Sequence, residues 1–437
     1  MVRYCLQTHN IGEKVQLKAK GINRRKFLKN SLAGGISILC IPLTNDIFSS
    51  SGRKPRYDLS LDSPARFFDG ASCMVHPRAG IIPSAGKNGL PRVVMTMNSL
   101  DLSGSDVFRG MYGMQTDDLG KTWTDAIELN DLAPHFEIID GIKRPVAVSD
   151  FWPGWHKKSG VLLGTGHTVA YTPDWKVTSP RPRDTSYSCY DPQSSSWSPW
   201  QKLNMPDTEK FYNSGAGCTQ RLNRPDGTIL LPLSFNPSGK NSLVTVLRCS
   251  FDGKTLRYVE HGNELSVNDG TRGLGEPSLT LFKDEYFLTI RNDKIGFVAK
   301  SSDGLNFSPI KPWTFDDGSD LGNYNTQQHW VTHSDGLFLV YTRRGADNDH
   351  VFRHRAPLFM AQVDPVYLHV IRETERILVP ERGARLGNFG VTDISYNETW
   401  VTVSEWMQPR GVEKFGSDGT LFIAKIHWER KNRLFTV

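Results

Sequence analysis

A glutamate and an arginine stand at matching ends of a predicted hairpin. Glu276 opens the strand-like run 276–282, a reversal follows at 283–285, and Arg291 ends the next run. Because hairpin strands are antiparallel, the first residue of one lies beside the last residue of the other. A carboxylate serves acid/base catalysis, and a guanidinium binds a substrate carboxylate through paired hydrogen bonds. The pair therefore predicts a site for an anionic substrate at one rim of a sheet.

A second group of polar side chains follows an apolar run further along the chain. Residues 343–355 are rich in Arg, Asp and His and come directly after the apolar run 337–341, while segment 322–330 combines amides with a tryptophan that could stack on a sugar. Polar loops at strand ends are common places for ligand binding. The predicted substrate-binding residues of these two segments are Tyr324, His329, His350, Arg353 and Arg355.

A recurring turn indicates which elements hold these residues. Residues 116–123 fit the pattern Ser/Thr-x-Asp-x-Gly-x-x-aromatic, and shorter copies stand at 250–256 and 301–307. Such a reversal needs an Asp that accepts backbone N–H bonds, a Gly with positive φ and an aromatic side chain that returns to the sheet. Its repetition predicts one four-stranded module used several times.

The strand pattern predicts an all-β fold, a six-bladed β-propeller. Strand-turn-strand units can be assigned at 110–129, 186–203, 243–260, 296–313, 358–378 and 421–435, with β-branched and aromatic runs between them. We find no convincing amphipathic helix, and 39 Gly and 25 Pro punctuate the sequence. These features predict a single propeller domain over residues 56–437, closed by pairing of the last strands with residues 71–76.

The repeated turn and the blade count resemble the sialidase superfamily, whose six-bladed propellers carry this turn as the Asp box. The resemblance covers roughly residues 65–437. It implies that Asp118, Asp252 and Asp303 are structural. It also implies that Glu276 and Arg291 match the family's site glutamate and one arginine of its carboxylate-binding triad, and that Arg355 matches the third arginine of that triad.

The same resemblance implies roles for further carboxylates. Asp106 lies ten residues before the first Asp turn, where sialidases hold their acid/base aspartate, and Asp101 is the alternative. A carboxyl group acts as a general acid when burial raises its pKa toward the working pH. Glu405 falls where the family keeps a glutamate that steadies its first arginine. The predicted catalytic residues are therefore Asp106, Glu276 and Glu405.

The sequence departs from the family at two positions. No Arg-Ile-Pro motif occurs near residues 68–72, and Phe389 stands where the nucleophilic tyrosine is expected. Hydrolysis by two carboxylates remains open, either Glu276 with Asp106 or Glu276 with Glu405, as in arabinan-cleaving relatives of the fold. Arginines Arg291 and Arg355 favour a carboxylate-bearing sugar such as a uronic acid.

Two other functions are compatible with the sequence. A polysaccharide lyase acting on uronic-acid glycans would use histidine and tyrosine, and the candidates are His76, His167, His329, His350, His354 and Tyr324. A non-catalytic propeller would stack sugars on tryptophans such as Trp152, Trp155 and Trp175. All three readings predict an oligo- or polysaccharide partner, and none calls for a metal or cofactor.

The first 55 residues predict export. Residues 23–29 read Asn-Arg-Arg-Lys-Phe-Leu-Lys, a twin-arginine signal in form, followed by an apolar run at 31–43 and a polar linker at 49–55. The apolar run is too short to span a bilayer comfortably. We expect its removal during export to the periplasm or the outside, with no membrane insertion of the mature chain.

Net charge argues against a nucleic-acid partner. The chain carries a net charge of +6, but residues 1–55 hold ten basic and two acidic residues, which leaves 42 basic and 44 acidic residues in 56–437. No basic patch of the kind that binds nucleic acid remains in this part. Its four cysteines, Cys73, Cys189, Cys218 and Cys249, lack metal-binding spacing and are predicted to be buried thiols.

Overall fold

The computed structural model describes residues 56–179, 181–237 and 240–436, and these residues form a six-bladed β-propeller. The predicted all-β fold is confirmed. The predicted export signal lies outside the described residues. Short 3-10 turns connect some strands, at Lys87–Gly89, Asn130–Leu132, Phe352–His354, Arg372–Thr374 and Val412–Phe415. None of the helices in the described part is long and apolar enough to cross a membrane.

The strands follow one another blade by blade. Strand β1 (Tyr57–Arg66) belongs to the sixth blade. The first blade contains β2 (Ser72–Ile82), β3 (Arg92–Asp101), β4 (Phe108–Thr116) and β5 (Ile127–Glu128). The second contains β6 (His135–Ile139), β7 (Ile142–His156), β8 (Val161–Ala170), β9 (Thr185–Asp191), β10 (Ser196–Trp197) and β11 (Gln201–Lys202). The third contains β12 (Asn213–Gly215), β13 (Leu222–Asn223), β14 (Ile229–Asn236), β15 (Leu243–Phe251) and β16 (Leu256–His261).

The remaining three blades repeat this plan. The fourth contains β17 (Gly275–Phe282), β18 (Glu285–Arg291), β19 (Phe297–Ser301) and β20 (Lys311–Pro312). The fifth contains β21 (His329–His333), β22 (Gly336–Tyr341), β23 (Leu358–Asp364), β24 (His369–Val370) and β25 (Arg376–Val379). The sixth contains β26 (Gly390–Ser395), β27 (Glu398–Ser404) and β28 (Thr420–Trp428), with β1 at its edge.

The ring closes through β1 and not through the strand predicted from the sequence. Strand β1 pairs antiparallel with β28, from Tyr57 opposite Trp428 to Arg66 opposite Thr420. The prediction that residues 71–76 pair with the last strands was wrong, because β2 begins there and pairs with β3. The burial patterns explain the difference: β2 is buried almost continuously, as an innermost strand must be, whereas β1 keeps many exposed side chains.

Apolar side chains between adjacent blades form the core. Phe338 of the fifth blade packs with Val401 and Trp428 of the sixth, and Tyr57 joins this cluster from β1. Burying such large side chains contributes about 1.5–3 kcal/mol each. The blades therefore hold one another in fixed relative positions, and the loops at their ends are carried on a rigid ring.

The recurring Asp turns lie at one end of the blades. Asp118 accepts hydrogen bonds from the Thr122 backbone N–H at 2.8 Å and the Thr122 hydroxyl at 2.6 Å. Asp303 accepts from the backbone N–H groups of Leu305 and Asn306 at 2.8 and 2.7 Å. Hydrogen bonding within the turn lowers the pKa of Asp118, whose turn follows β4. Both carboxylates are occupied by their own turns, which agrees with a structural role.

A cavity of about 330 Å³ lies at this end of the blades and contains a buried carboxyl group. Asp393 lines it together with Trp152, Arg221 and Thr280. The Thr399 hydroxyl donates to Asp393 Oδ1 at 2.6 Å. Asp393 is partly exposed to the cavity and is otherwise enclosed by protein. Burial raises the pKa of Asp393 from 3.8 to about 6.

The Asp393→Asn variant is expected to be more stable than the wild type at pH 7. Because the folded-state pKa is raised, Asp393 contributes stability that is fully present below pH 3.8 and is lost as the pH rises through about 6. The ionised group therefore costs up to about 3 kcal/mol at pH 7. Urea unfolding at pH 5 and pH 7 measures this, with the exposed Glu429→Gln as control. Equal pH dependence in Asp393→Asn and wild type would contradict the prediction.

Candidate active site

Residues with left-handed backbone lie on the innermost strands, or in the segments that adjoin them, near the end opposite the Asp turns. Their φ values are positive at His76 (59°), Asp150 (53°), Cys218 (59°), Glu276 (45°) and Asn325 (51°). Register shifts mark three of these positions, in β2, β7 and β17. A bulge re-aims a side chain, and strained backbone of this kind costs about 1–3 kcal/mol per residue. One strained polar residue from each of five blades defines the candidate active site.

Glu276 and Arg291 lie together, as the hairpin pattern predicts. Gly275 pairs with Arg291 across β17 and β18, and Arg291 Nη1 donates to Glu276 Oε1. Arg291 Nη2 donates to the side-chain oxygen of Asn325 from the next blade. The two residues border a cleft of about 370 Å³ that is also lined by Arg181, Arg183 and Arg272. Positive charge exceeds negative charge at this cleft.

Arg355 is the most buried arginine of the site. Its side chain is 5% exposed, and its guanidinium donates to the backbone oxygen of Asn325 and to Asn388 Oδ1, the latter at 3.4 Å. Burial, followed by the charges of Arg291 and Arg385, lowers the pKa of Arg355 well below its usual value. A guanidinium that is desolvated and surrounded by like charges favours the binding of an anion.

Arg355 and three further arginines of the site have no acidic partner among the described residues. Among the described residues of this site, Arg183, Arg353, Arg355 and Arg385 form no ion pair with a carboxylate, that is, none has a carboxylate oxygen within 4.0 Å. Arg385 lies 4.5 Å above the Trp406 ring, and burial together with the Arg353 charge lowers the pKa of Arg385 to about 10. Burial and the charges of Arg291 and Arg272 lower the pKa of Arg353. These guanidinium groups therefore form a positively charged cluster.

Asp106 lies in the loop between β3 and β4, beside an arginine that lines this cleft. Its Oδ2 lies 3.4 Å from Arg181 Nη1, and its backbone oxygen accepts a hydrogen bond from the Tyr171 hydroxyl at 2.8 Å. Arg181 also lines the cleft that Glu276 borders, so one arginine links Asp106 with that cleft. The alternative, Asp101, is instead paired with Arg109 at 2.8 Å.

Glu405 does not join these carboxylates. It is 1% exposed, and its Oε2 accepts the backbone N–H groups of Asp418 and Thr420 at 2.9 and 3.0 Å. Its Oε1 lies 3.2 Å from Arg382. Burial raises the pKa of Glu405. Because both oxygens are engaged, the structure assigns Glu405 to anchoring the segment 405–420, in place of the predicted catalytic role.

The residues between 324 and 350 that were predicted to bind substrate do not lie together in the structure. His329 is fully buried, with Nδ1 2.7 Å from the Ser278 hydroxyl and its ring between Trp152 and Phe389. It therefore cannot bind substrate, because β21 turns this side chain between the blades. His350 Nε2 lies 2.8 Å from Glu381 Oε1.

Tyr324 pairs with His354, one of the histidines named for a lyase. Its hydroxyl lies 2.6 Å from His354 Nδ1, and His354 Nε2 lies 3.2 Å from Asp349. Arg344 lies 5.2 Å from the centre of the Tyr324 ring. Tyr324, His354 and Asp349 thus form a hydrogen-bonded chain that ends at an exposed carboxylate.

Sequence reasoning named His76 and His167 but missed Asp150, which joins them in a buried polar cluster. Arg78 Nη1 donates to Asp150 Oδ1 at 2.8 Å, and His76 Nδ1 lies 3.4 Å from the same oxygen. His167 Nε2 lies 3.6 Å from Asp150 Oδ2. The polar residues that interrupt the apolar runs of β2 and β7 were the sequence feature that could have indicated this cluster. We find no group of three or more His, Cys, Asp and Glu in the described residues that could hold a metal ion.

Comparisons with solved structures agree with this fold. A crystal structure of a protein of unknown function from Dyadobacter fermentans is 14% identical, covers 85% of this chain and 99% of its own, and has a TM-score of 0.59. NanB sialidase from Streptococcus pneumoniae, as its K499G mutant, is 12% identical over 83% of this chain and 70% of its own (TM-score 0.57).

The Trypanosoma rangeli sialidase is 12% identical over 81% of this chain and 55% of its own, with a TM-score of 0.52. No family model and no curated protein matches the sequence. At these identities the likeness concerns the fold alone, and the chain has a sialidase-like six-bladed propeller.

Proposed function

We propose that the chain is an exported glycoside hydrolase that removes a terminal sugar bearing a carboxylate. The observation that carries this proposal is the set of four arginines without a carboxylate partner, around the pair of Glu276 and Arg291. Arginine binds carboxylates through two parallel hydrogen bonds, and burial strengthens the interaction because the local dielectric is low. The likeness in fold to proteins named sialidases supports a glycan substrate.

The two carboxylates, Asp106 and Glu276, have different roles in the proposed reaction. Asp106 lies in a surface loop beside Arg181 and is the group that protonates the leaving oxygen. Glu276 lies beside Arg291, and its negative charge stabilises the positive charge that develops on the sugar ring in the transition state. Arg355 and Arg353 hold the substrate carboxylate. Phe389 is buried and has no hydroxyl, so it supplies no nucleophile.

The Asp106→Asn variant is expected to lose activity in a way that depends on the leaving group. Hydrolysis of a natural glycan should fall about 10²- to 10⁴-fold, because the departing sugar oxygen needs a proton. Hydrolysis of an aryl glycoside with an acidic phenol should fall far less, because that oxygen leaves as an anion. Steady-state kinetics on both substrates measures the difference, with Asp101→Asn as the control. Equal losses on both substrates would refute this role.

A uronate lyase is the second candidate, and the Tyr324–His354 pair favours it. A hydroxyl 2.6 Å from an imidazole can relay a proton, as elimination beside a uronate carboxylate requires. A lyase yields an unsaturated product with ultraviolet absorbance, whereas a hydrolase yields none. Incubation with sialylated, uronic and arabinose-containing glycans, monitored separately for reducing ends and for this absorbance, distinguishes the two. Binding of glycans without either product would indicate a non-catalytic propeller.

A further inference from the structure

The cleft of about 370 Å³ beside Glu276 holds more positive charge than its own carboxylates can neutralise. Its acidic lining residues are Glu276 and Asp293. Its basic lining residues lie on strands and loops of the second, third and fourth blades, and they are Arg181, Arg183, Lys240, Arg272 and Arg291. Five basic and two acidic side chains leave a formal excess of three positive charges in one cleft.

Both acidic residues of the cleft are already paired with arginines. Asp293 accepts two hydrogen bonds from Arg272, at 2.8 and 2.6 Å. The Glu276 carboxylate accepts a hydrogen bond from Arg291. Neither carboxylate is left to neutralise the other three basic side chains of the cleft.

Arg183 lines the cleft with most of its hydrogen-bonding capacity unused. Its Nε donates to Asn213 Oδ1 at 3.1 Å, whereas its Nη1 and Nη2 donate to no residue that the structure describes. The half-buried guanidinium has no carboxylate oxygen of a described residue within 4.0 Å. Burial, followed by the charge of Arg181, lowers the pKa of Arg183 to about 10. A charged group in these surroundings is stabilised when an anion binds beside it.

The uncharged lining of the cleft suits a sugar ring. Amide and hydroxyl side chains predominate in it, and they are Asn213, Ser234, Asn236, Asn241, Ser242 and Asn292. Such groups both donate and accept hydrogen bonds, as sugar hydroxyls require. The cleft volume of about 370 Å³ falls within the range of small-molecule sites, about 300–1,000 Å³. The lining therefore matches a sugar unit that carries an anionic group.

Asp106 indicates which sugar unit of the substrate enters this cleft. In the proposed reaction, Asp106 protonates the oxygen of the sugar that leaves, and its Oδ2 lies 3.4 Å from Arg181 Nη1. Arg181 lines the cleft, whereas Arg353 and Arg355, which hold the carboxylate of the terminal sugar, are not among the described residues that line it. The terminal sugar and the leaving sugar thus contact different arginines.

Resting on the proposed function, we propose that the cleft binds a second anionic group of the substrate, carried by the sugar that leaves. Arg183 is the main contact of this group, and Arg181 and Lys240 add positive charge to the same cleft. A sulfate ester and a uronate carboxylate share the chemistry that a guanidinium recognises, because each offers two oxygens to parallel N–H groups. The substrate class is thus a polyanionic glycan whose terminal sugar and next sugar are both charged.

Three disaccharides that share one terminal uronic acid test the charge of the leaving sugar. Their second sugar is neutral, O-sulfated or itself a uronic acid. We expect wild-type kcat/KM to be about 10- to 100-fold higher with a charged second sugar than with the neutral one. Arg183→Met should bring this ratio close to one. A preference for the sulfated disaccharide alone identifies a sulfate site, and a preference for the diuronate alone identifies a carboxylate site.

Arg257→Met is the control for Arg183→Met. Arg257 lies on β16 at the Asp-turn end, 2.5 Å from Asp252, and it is not among the residues that line the cleft. This variant should keep the wild-type ratio. Equal kcat/KM for the neutral and both charged disaccharides in the wild type would overturn the proposal, and so would a wild-type ratio in Arg183→Met.

Calorimetry with the wild-type chain tests the second site without turnover and without a variant. The probes are glucuronate and an O-sulfated methyl galactoside, and unsulfated methyl galactoside is the control. We expect either two glucuronate ions to bind per chain or the sulfated probe to bind while one glucuronate stays bound. One glucuronate per chain, with no binding of the sulfated probe to that complex, would overturn the proposal. If the wild type cleaves no glycan, the proposed hydrolase function fails, whereas this titration still decides whether the second site exists.

Discussion

Replacing Arg355 by methionine is expected to lower kcat/KM for a carboxylate-bearing glycan by about 30- to 4,000-fold. Removing one partner of a buried charged contact costs about 2–5 kcal/mol, and each 1.4 kcal/mol corresponds to a factor of ten. Arg355 is 5% exposed and crowded by Arg291 and Arg385, so its charge costs the free protein energy that a bound anion would offset. We therefore expect the free energy of unfolding to change by no more than about 1 kcal/mol.

The controls for Arg355 separate charge from geometry. Arg355→Lys keeps the charge but loses the paired hydrogen bonds, and it should recover only a small part of the activity. Arg224→Met removes an arginine that lies 3.9 Å from Asp226 in the turn before β14, and it should leave turnover unchanged. Steady-state kinetics measures kcat/KM, glucuronate titration measures the affinity for the anion, and urea unfolding measures the free energy of unfolding. An Arg355→Met protein that folds and binds glucuronate as tightly as the wild type would contradict an anion-binding role.

Glu276→Gln is expected to abolish most turnover while tightening the binding of an anionic product. Glutamine keeps the shape and still accepts a hydrogen bond from Arg291, but it carries no charge to stabilise the transition state. Loss of one such electrostatic group lowers kcat by about 10²- to 10³-fold. Removal of the Glu276 charge paired with Arg291 leaves that arginine free to attract the ligand. A fall in kcat together with a lower Kd for the anionic product distinguishes this role from a general disruption of the site.

Glu285→Gln is the matched control for this substitution. Glu285 begins β18 at the other end of the same hairpin, where it pairs with Lys300 at 2.9 Å. The variant should keep wild-type kcat and wild-type product affinity. If Glu276→Gln also kept its turnover, Glu276 would have no part in the chemistry. If it failed to fold while Glu285→Gln folded, the Arg291 contact would be structural.

The parts of the fold that depend on local sequence were predictable. The Asp turns required Asp118 and Asp303 to bond with backbone groups two to four residues away, and these contacts are present. The placement of Glu276 beside Arg291 followed from hairpin register alone. Both depend on interactions within about 15 residues of chain, which a sequence pattern can express.

The parts that depend on contacts between distant blades were not predictable. Glu405 seemed available for chemistry, yet Asp418, Thr420 and Arg382 occupy its oxygens. His76 meets Asp150 across two blades and 74 positions, and only the polar interruption of an apolar strand hinted at it. Ring closure was misassigned for the same reason, because the pairing of β1 with β28 joins opposite ends of the propeller sequence.

The most direct test of the central claim is product analysis with the wild-type chain and Glu276→Gln. Both proteins are incubated with glycans that end in a carboxylate-bearing sugar and with neutral glycans of matched length. Our account predicts new reducing ends only from the wild type and only from the acidic glycans, without ultraviolet absorbance of an unsaturated product. Cleavage of the neutral glycans alone, an unsaturated product, or binding of acidic glycans with no product would contradict it.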